Sequence, residues 1–361
     1  RLRKDLSAAR AHLVVEQAEL RERARDKFSA AEQMFFTRKG LEQATDEQIA
    51  TYKASRFPAG AIADLCCGIG GDTISLLGNG PIAAVDVDPI ACLLTEANAA
   101  ECKSSFNART ENADAVTFPV GEFSTWHIDP DRRPEGRRTS RVELFQPPLV
   151  VIQSHLASNP HGAIKVAAAA ELPAAWRETA ELQWLGSRGE CRQQVAWFGS
   201  LARHSGQRSA MIVDAPGGPR TIVGTGDDSI PLATRLGRYL FVPDNAVLAA
   251  RLTGALCREL GLAAIAPGIA YLTADAFVSD GALAAFEVQD VLPFDRKQLK
   301  AWCRERHIGR LEVKKRGIDV SPESLRKAVI GTGDREATLV VTRLESRAAA
   351  IVVRRISATD S

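Results

Sequence analysis

Long hydrophobic runs and Cys-x-x-Cys pairs are both missing from this sequence of 361 residues. A membrane-spanning helix needs about 20 consecutive apolar residues, and no apolar stretch approaches that length. The first residues show no signal-peptide pattern either. The seven cysteines are scattered without any Cys-x-x-Cys pair, which argues against both a disulfide framework and a zinc site. We therefore expect a cytoplasmic protein with no membrane association and no bound metal.

The chain also lacks a large net charge, but its charges are unevenly distributed. The formal net charge is only +2, whereas residues 295–355 contain 16 Lys+Arg against 8 Asp+Glu. A basic C-terminal module on a mildly acidic body favours an anionic macromolecular partner, most simply nucleic acid. A solvated helix face with ordinary surface charge has the same composition, so the count alone leaves both interpretations open.

Length and periodicity predict three regions. A chain of this length suits two or three domains. Apolar residues at steps of three, four and seven predict an amphipathic helix over about residues 5–28. Thr45–Gln48 matches a capping box that should start another helix, ending before Pro58. We expect a helical leader over residues 1–58, a central domain over 59–230 and a C-terminal region over 231–361.

The central region alternates predicted strands and helices. We assign strands to residues 61–66, 82–87, 106–112, 124–129 and 162–168, with helices between them at 89–101 and around 140–157. This alternation predicts an α/β fold with a doubly wound, Rossmann-like parallel sheet. Two later runs, 193–198 and 209–214, are joined by a polar loop and predict an antiparallel hairpin at the end of that sheet.

The C-terminal region reads as a small α+β module. The predicted elements are a helix at 245–260, a strand at 286–292, a helix at 295–307, a strand at 310–315, a helix from Ser321 and strands at 338–343 and 349–354.

The segment Ala61-Ile-Ala-Asp-Leu-Cys-Cys-Gly-Ile-Gly-Gly-Asp72 reads as a buried strand followed by a glycine-rich turn. The third glycine of the dinucleotide fingerprint is missing, because position 73 is Thr73. An acidic residue before the turn would repel a pyrophosphate, whereas it would attract a cofactor that carries an amine or sulfonium group. S-adenosylmethionine is such a cofactor. We expect its methionine part to contact Asp64, Cys67, Gly68, Gly70, Gly71 and Asp72; the structural alternative is a tight turn that needs glycine only for its backbone.

Carboxylates follow the next two predicted strands. Asp88 precedes Pro89 and suits the N-cap of a helix, so that structural duty explains it. Asp86 has no such duty, and we assign it to the ribose hydroxyls of the cofactor. Asp114 follows the third strand, where it could accept from an adenine amino group or cap a helix.

The fourth predicted strand ends at Asp129-Pro130, where the acceptor atom would meet the methyl group. Asp129 is the candidate catalytic carboxylate, and Pro130 fixes the backbone after it. Arg132 and Arg133 follow, with Arg137 and Arg138 in the same loop. Guanidinium groups there could grip phosphates, or the loop could simply be basic. His127 is interpreted as a strand residue.

This set of motifs resembles the class I S-adenosylmethionine-dependent methyltransferases. Asp64–Asp72 with Ala84-Val-Asp-Val-Asp-Pro89 is particularly similar to the trimethylguanosine synthase and RNA methyltransferase branch, and residues 34–45 resemble the leader of that branch. Residues 286–292 and 309–320 look like the THUMP-like domain found at the C-terminus of a bacterial methyltransferase family. That domain would span about residues 286–356.

Two departures from related patterns bear on the acceptor. Methyltransferases that act on base amino groups usually carry an aromatic residue in the fourth-strand motif, but this chain has Asp129-Pro-Asp-Arg132. Uridine C5-methyltransferases need a cysteine after the fifth strand, and residues 164–169 contain none. Covalent C5 chemistry is therefore disfavoured, and the acceptor atom stays open.

The sequence predicts a methyltransferase that acts on RNA (tRNA or rRNA) by in-line displacement. The resemblance implies that the tail positions RNA through phosphate contacts from Lys314, Lys315, Arg316, Arg326 and Lys327. The alternatives are a methyltransferase for small molecules or proteins, and a non-catalytic RNA-binding protein that retains the fold. A nicotinamide oxidoreductase is disfavoured by the missing glycine and the terminal hairpin.

Overall fold

The computed structural model describes residues 7–101, 106–131, 141–344 and 347–356. The chain forms two compact units. The first comprises Arg1–Ser187 and Arg192–Gln207, and the second comprises Arg188–Cys191 and Arg208–Ser361. The change of unit after Gln207 comes earlier than the boundary predicted near residue 230, because the strands that follow pair with each other and pack against later helices.

The leader of the first unit contains three helices: α1 (Ala8–Ala24), α2 (Arg38–Gln43) and α3 (Glu47–Ala54). Its apolar residues, among them Leu20, Phe28 and Phe36, pack around Ile69 of the glycine-rich turn. The capping-box prediction was right about the helix but wrong about its cap. Asp46 accepts from the Ile49 backbone N–H, since Thr45 uses its hydroxyl elsewhere.

The first unit is built on a seven-strand segment of sheet in the order β3-β2-β1-β4-β5-β7-β6. Its elements are β1 (Ile62–Leu65), α4 (Thr73–Leu76), β2 (Ile82–Asp86), α5 (Pro89–Ala100), β3 (Ala108–Asn112), β4 (Thr125–Ile128), α6 (Leu149–Ser158), β5 (Gly162–Val166), α7 (Ala174–Thr179), β6 (Glu181–Ser187) and β7 (Glu190–Trp197). Strands β1 to β5 are parallel, and β7 pairs antiparallel with β5. The predicted doubly wound sheet with a terminal antiparallel hairpin is confirmed.

The predicted composition of that hairpin was wrong. Residues 193–197 lie in β7, but the strand beside them is β6, joined through the two-residue turn Arg188-Gly189 with φ of 55° and 71°. Residues 209–212 instead form β8, which pairs antiparallel with β9. The pattern of β6 is misleading because its buried positions include Glu181, whose carboxylate lies 2.6 Å from the buried Arg56 guanidinium.

The second unit contains a seven-stranded sheet in the order β11-β12-β10-β13-β16-β15-β14. In chain order its elements are β8 (Arg208–Ile212), β9 (Arg220–Gly224), β10 (Tyr239–Pro243), α8 (Asn245–Ala249), α9 (Thr253–Leu260), β11 (Ala263–Ala266), β12 (Ile269–Ala274), β13 (Leu283–Pro293), α10 (Arg296–Glu305), β14 (Ile308–Lys315), α11 (Pro322–Val329), β15 (Arg335–Leu344) and β16 (Arg347–Arg355). The single helix predicted at 245–260 is two helices, because Arg251 has a left-handed φ of 58°.

Helices α10 and α11 cover one face of this sheet. Asp295 and Ser321 cap them, as the sequence predicts. Leu299 and Trp302 of α10 and Leu325 of α11 join a core with β14, β15 and β16. Tyr271, Phe286 and their neighbours form a separate core cluster in the same unit. Within the described ranges, no helix is long and apolar enough to cross a membrane.

Candidate active site at the carboxyl ends of the strands

The glycine-rich turn lies at the carboxyl end of β1 and leaves open space above one glycine. Cys66, Gly68 and Gly70 have positive φ values of 57°, 61° and 84°. A Cβ atom at Gly68 would meet nothing within 4 Å, whereas at Gly70 it would lie 3.2 Å from the Thr95 side chain of α5. At Gly71 it would lie 3.2 Å from the Thr45 carbonyl of the leader. Gly68 therefore faces the open cleft, and the other two permit close packing.

Asp86 closes one side of this open space. Its Oδ2 accepts from the Gly68 backbone N–H at 2.9 Å, and its Oδ1 accepts from the Asp88 N–H at 2.9 Å. Burial raises the pKa of Asp86, and the two backbone hydrogen bonds oppose that shift. Val87 follows it with 67% of its surface exposed. A carboxylate next to an exposed apolar side chain suits a ligand that combines hydroxyl groups with a flat ring.

The other two strand-end aspartates of this group have local partners. Asp88 caps α5 by accepting from the Ile90 N–H at 2.9 Å, as predicted. Asp114 is exposed after β3, and its Oδ1 accepts from the Val116 N–H at 2.9 Å. Val116 is 42% exposed. Asp114 thus lies at the solvent-facing edge where an adenine contact was predicted, with one oxygen already used by the turn.

Asp64 lies beneath the turn, only 1% exposed. Its Oδ1 is 2.7 Å from His127 Nδ1, and its Oδ2 accepts from the Thr73 hydroxyl. The His127 contact follows from register, since Asp64 and His127 are opposite each other in the parallel β1–β4 pair. Lys53 Nζ lies 2.9 Å from His127 Nε2, so the ring lies between the carboxylate of Asp64 and the amine of Lys53.

Asp72 is also buried, and it belongs to the same network. Lys53 Nζ lies 2.7 Å from its Oδ1, and the Thr45 hydroxyl donates to its Oδ2 at 2.7 Å. Burial by itself raises the pKa of Asp72, but the Lys53 ammonium, with His127 and Lys165, holds that pKa below its usual range. We call Lys53, Asp64, Asp72 and His127 the buried network. Both Asp64 and Asp72 were predicted to contact cofactor, and the structure places their side chains among these protein partners.

Asp129 lies just beyond β4, with its side chain 24% exposed. Its backbone N–H donates to Leu65 O at 3.2 Å, which ties it to β1. Lys165 of β5 donates to Asp129 Oδ2 at 2.6 Å. Pro130, which was predicted to fix the backbone after Asp129, is buried.

Cys67, another residue predicted to contact the cofactor, is 9% exposed, and its sulfur lies 3.6 Å from the Thr95 hydroxyl.

The leader contacts the same edge of the sheet. Lys39 Nζ lies 3.1 Å from Asp131 Oδ2, and Gln43 donates to Asp131 Oδ1 at 3.2 Å. The predicted phosphate-binding residues Arg132 and Arg133, with Arg137 and Arg138, lie outside the described residues. Within the described part of the chain, no group of three or more His, Cys, Asp or Glu residues is arranged to hold a metal ion.

A second candidate site lies in the second unit. Lys314, Lys315 and Arg316 at the end of β14, with Arg355, line a cavity of about 490 Å³ that we call the basic cavity. Arg316 lies 5.3 Å from the ring centroid of Tyr271, which also lines it. Lys314 is paired with Glu312 at 2.9 Å. Three of the five predicted tail cations are thus brought together around one concave surface, whereas Arg326 and Lys327 lie on α11 and do not line it.

Three comparisons with known proteins bear on this geometry. The family described as THUMP domain-like matches residues 283–355. An uncharacterized S-adenosylmethionine-dependent methyltransferase of Mycobacterium tuberculosis is 29% identical over 345 residues, covering 93% of both chains. The crystal structure of a methyltransferase candidate from Porphyromonas gingivalis W83 matches with a TM-score of 0.83 and 18% identity, over 98% of this chain and 92% of that one.

The chain is an S-adenosylmethionine-dependent methyltransferase whose residues 283–355 are similar to the THUMP domain-like family. The enzyme class and cofactor predicted from the sequence are confirmed. The predicted start of the THUMP-like domain at about residue 286 lies within the matched range and within β13.

Sequence reasoning missed the lysines of the methyltransferase site. Lys53 lies in the short helix α3 and Lys165 in an apolar strand, and neither belongs to a recognisable motif. Both are nevertheless buried, at 1% and 3% exposure. One sequence feature could have drawn attention to Lys165: the other residues of its strand are Gly, Ala, Ile and Val. A lysine in such a strand is expected to be buried, and a buried ammonium group needs hydrogen-bond acceptors.

Proposed function

We propose that this methyltransferase acts on RNA, and that the basic cavity of the THUMP-like domain is the observation that carries this proposal. Three consecutive cations, Lys314, Lys315 and Arg316, line one concave surface together with Arg355. Clustered lysine and arginine side chains bind nucleic acids mainly through phosphates, which position the substrate without reading its sequence. The predicted arginines Arg132 and Arg133 remain part of the proposal as phosphate contacts near the reaction centre.

The cofactor would lie above Gly68, with its ribose hydroxyls on Asp86. Open space at Gly68 and the exposed Val87 beside Asp86 support this placement. Gly70 and Gly71 would shape the turn by allowing close packing against α5 and the leader. Asp64 and Asp72 would support the turn from below, with Cys67 packed behind it, and Asp114 would remain available to an adenine amino group.

Bound S-adenosylmethionine supplies a methyl group on a sulfonium. A lone pair of the acceptor would form a bond to the methyl carbon, the electrons of the broken carbon–sulfur bond would stay on sulfur, and the acceptor would lose a proton. Asp129 would accept a hydrogen bond from the acceptor group or take that proton. Its position after β4, tied to Leu65 of β1 and bonded to Lys165 of β5, supports this role. Pro130 would fix the chain behind it.

The direct test is transfer of a tritiated methyl group from S-adenosylmethionine into fractionated cellular RNA. Protein and small-molecule fractions from the same cells are assayed in parallel with the full-length enzyme. Label in RNA that is lost after ribonuclease treatment is the expected result. Label confined to the protein or small-molecule fraction would contradict the RNA proposal while leaving the methyltransferase activity intact.

The role of the basic cavity is tested by reversing two of its charges. The double variant Lys314→Glu, Lys315→Glu should weaken RNA binding at least tenfold and reduce the slope of log affinity against log salt by about 1 to 2. Affinity for S-adenosylhomocysteine, measured by calorimetry, should stay unchanged.

The matched control is Lys297→Glu, Lys300→Glu. These residues are exposed on α10 of the same domain and do not line the cavity. The control makes the same change in net charge, so an equal loss of RNA affinity in both variants would show that only overall charge matters and would remove the cavity from the mechanism.

A further inference from the structure

Lys165 occupies an unusual position for a lysine. It lies on β5, between the parallel neighbour β4 and the antiparallel neighbour β7, and is 3% exposed. Its ammonium group reaches three oxygen atoms: Asp129 Oδ2 at 2.6 Å, the Thr45 hydroxyl at 2.9 Å and the Gln43 carbonyl at 3.3 Å. An ammonium group has three N–H donors, so these contacts satisfy it without water. Its three partners come from two separate segments, the leader and the end of β4.

We propose that Lys165 is a positioning residue for methyl transfer, which holds Asp129 by Oδ2 and aims its Oδ1 at the acceptor group. The inference rests on the role proposed above for Asp129. Among the described residues, Oδ1 of Asp129 has no hydrogen-bond partner, although the side chain is partly exposed to the cleft. A carboxylate fixed through one oxygen presents the other in a defined direction, which is what alignment of a reacting group requires.

The hydroxyl of Thr45 extends this arrangement to the cofactor side of the site. It accepts from Lys165 and donates to Asp72 Oδ2 at 2.7 Å, which uses one donor and one acceptor of the hydroxyl. Asp72 lies at the start of α4, directly after the glycine-rich turn, and is held there by its ion pair with Lys53. The orientation of Asp129 is therefore linked through Lys165 and Thr45 to the backbone that would hold the cofactor.

This geometry also restricts the chemical class of the acceptor. A carboxylate oxygen aligned in this way accepts a hydrogen bond, so the acceptor group must carry hydrogen, as an amine, a ring N–H or a hydroxyl does. Cys66 lies in the turn after β1, at the same edge of the sheet. Burial raises the pKa of its thiol, and the charges of Asp86 and Asp129 raise it further, which disfavours the thiolate form that attack on a base carbon requires.

The test is a cycle of Lys165→Met, Asp129→Asn and the double variant, assayed on whichever cellular fraction the wild-type enzyme labels. Each single variant should lower kcat about 100-fold, within the range for loss of a catalytic proton acceptor. The KM for S-adenosylmethionine and the affinity for S-adenosylhomocysteine should change less than threefold. Because Lys165 acts through Asp129, the double variant should be no slower than Asp129→Asn.

Independent losses that multiply to about 10,000-fold in the double variant, or an unchanged kcat in Lys165→Met, would overturn the proposal. Lys165→Gln keeps a neutral donor and should give an intermediate kcat; it serves if the methionine variant does not fold. Lys27→Met is the matched control, since Lys27 also donates to carbonyl oxygens of the leader, Leu41 O at 2.6 Å and Ala44 O at 3.0 Å, without contacting Asp129. Its kcat should stay within threefold of wild type.

Failure of the proposed function is distinguishable from failure of this inference. If the wild-type enzyme labels no RNA but labels another fraction, the RNA proposal fails and the cycle is run on that fraction. If no fraction is labelled, the same four proteins are compared by thermal unfolding. If the double variant loses at least about 2 °C less in Tm than the two single variants lose together, Lys165 and Asp129 interact directly. Losses in Tm that simply add would contradict that interaction.

Discussion

Aspartates at one edge of a single sheet differ sharply in what surrounds them. Asp86 and Asp114 lie at the solvent-facing rim, whereas Asp64 and Asp72 are 1% and 7% exposed in the buried network. The neighbouring strand makes the difference. Asp64 is opposite His127 in register, while Asp86 is opposite Asn112, whose side-chain amide donates to the Asp86 backbone carbonyl at 3.0 Å. In the part of the chain that the structure describes, the Asp86 carboxylate accepts only from the backbone N–H groups of Gly68 and Asp88, so no charged side chain encloses it.

The comparison shows that partners on adjacent strands decide whether a strand-end carboxylate is enclosed in the buried network or remains at the rim. In the buried network each charge has an opposite charge or a hydrogen-bond donor within 3 Å. Removing one member of such a set leaves an uncompensated buried charge, which costs far more than losing an exposed pair. Rim residues carry no such cost, so changes there should alter binding more than stability.

The largest expected effect is on stability, from Lys53→Met in the buried network. The substitution leaves Asp72 without its ammonium partner and removes the contact at His127 Nε2, and it should destabilise the first unit by about 3–5 kcal/mol. Urea unfolding followed by tryptophan fluorescence measures this, because four of the five tryptophans (Trp126, Trp176, Trp184 and Trp197) lie in the first unit.

Lys39→Met is the control for that prediction. It removes an ion pair with Asp131 on the same edge of the sheet, but both side chains are exposed, at 63% and 39%. The expected loss is below about 1 kcal/mol. Equal losses in the two lysine variants would show that burial does not separate the two groups of carboxylates.

The next effect in size is on cofactor affinity, from Asp86→Asn at the rim. Loss of a charged acceptor for the ribose hydroxyls should weaken binding of S-adenosylhomocysteine about 10- to 100-fold, since hydrogen bonds to charged groups contribute about 1.5–3 kcal/mol. Calorimetry measures the affinity, and the urea midpoint should move little. Asp88→Asn makes the same chemical change two residues later and keeps an N-cap acceptor. An affinity loss as large at Asp88 as at Asp86 would contradict the assignment of the ribose site.

Strand and helix positions in the methyltransferase sheet were predictable because local patterns specify them. Strands β1, β2 and β4 are short, largely buried runs that end close to glycine or aspartate, and Asp88-Pro89 marks the start of α5. Strand β6 was missed because Glu181 and Gln183 occupy buried positions. Their partners are Arg56, just after α3, and Tyr52 in α3, and both contacts join residues more than 120 positions apart in the sequence. A local pattern holds no information about those contacts.

The candidate site was predictable in part for the same reason. The turn glycines and the strand-end acids follow from spacing along the chain, and so does the N-cap role of Asp88. The division between rim and buried network does not, because it depends on strand register and on lysines from α3 and β5 that meet the acids only in the folded chain. Sequence therefore indicates which acids reach this edge of the sheet, and tertiary contacts decide which of them can reach a ligand.

The smallest expected effect separates two glycines of one turn. Gly68→Ala adds a Cβ that projects into the open cleft, where the cofactor would lie, so the affinity for S-adenosylhomocysteine should fall about tenfold; the positive φ of 61° should also cost about 1 kcal/mol of stability. Gly71→Ala places its Cβ 3.2 Å from the Thr45 carbonyl, on the side of the leader. Crowding at that carbonyl should lower the free energy of unfolding by a similar amount, about 1 kcal/mol, while the affinity for S-adenosylhomocysteine stays unchanged. Calorimetry and urea unfolding on both variants make the test, and an affinity loss confined to Gly71→Ala would place the ligand on the other side of the turn.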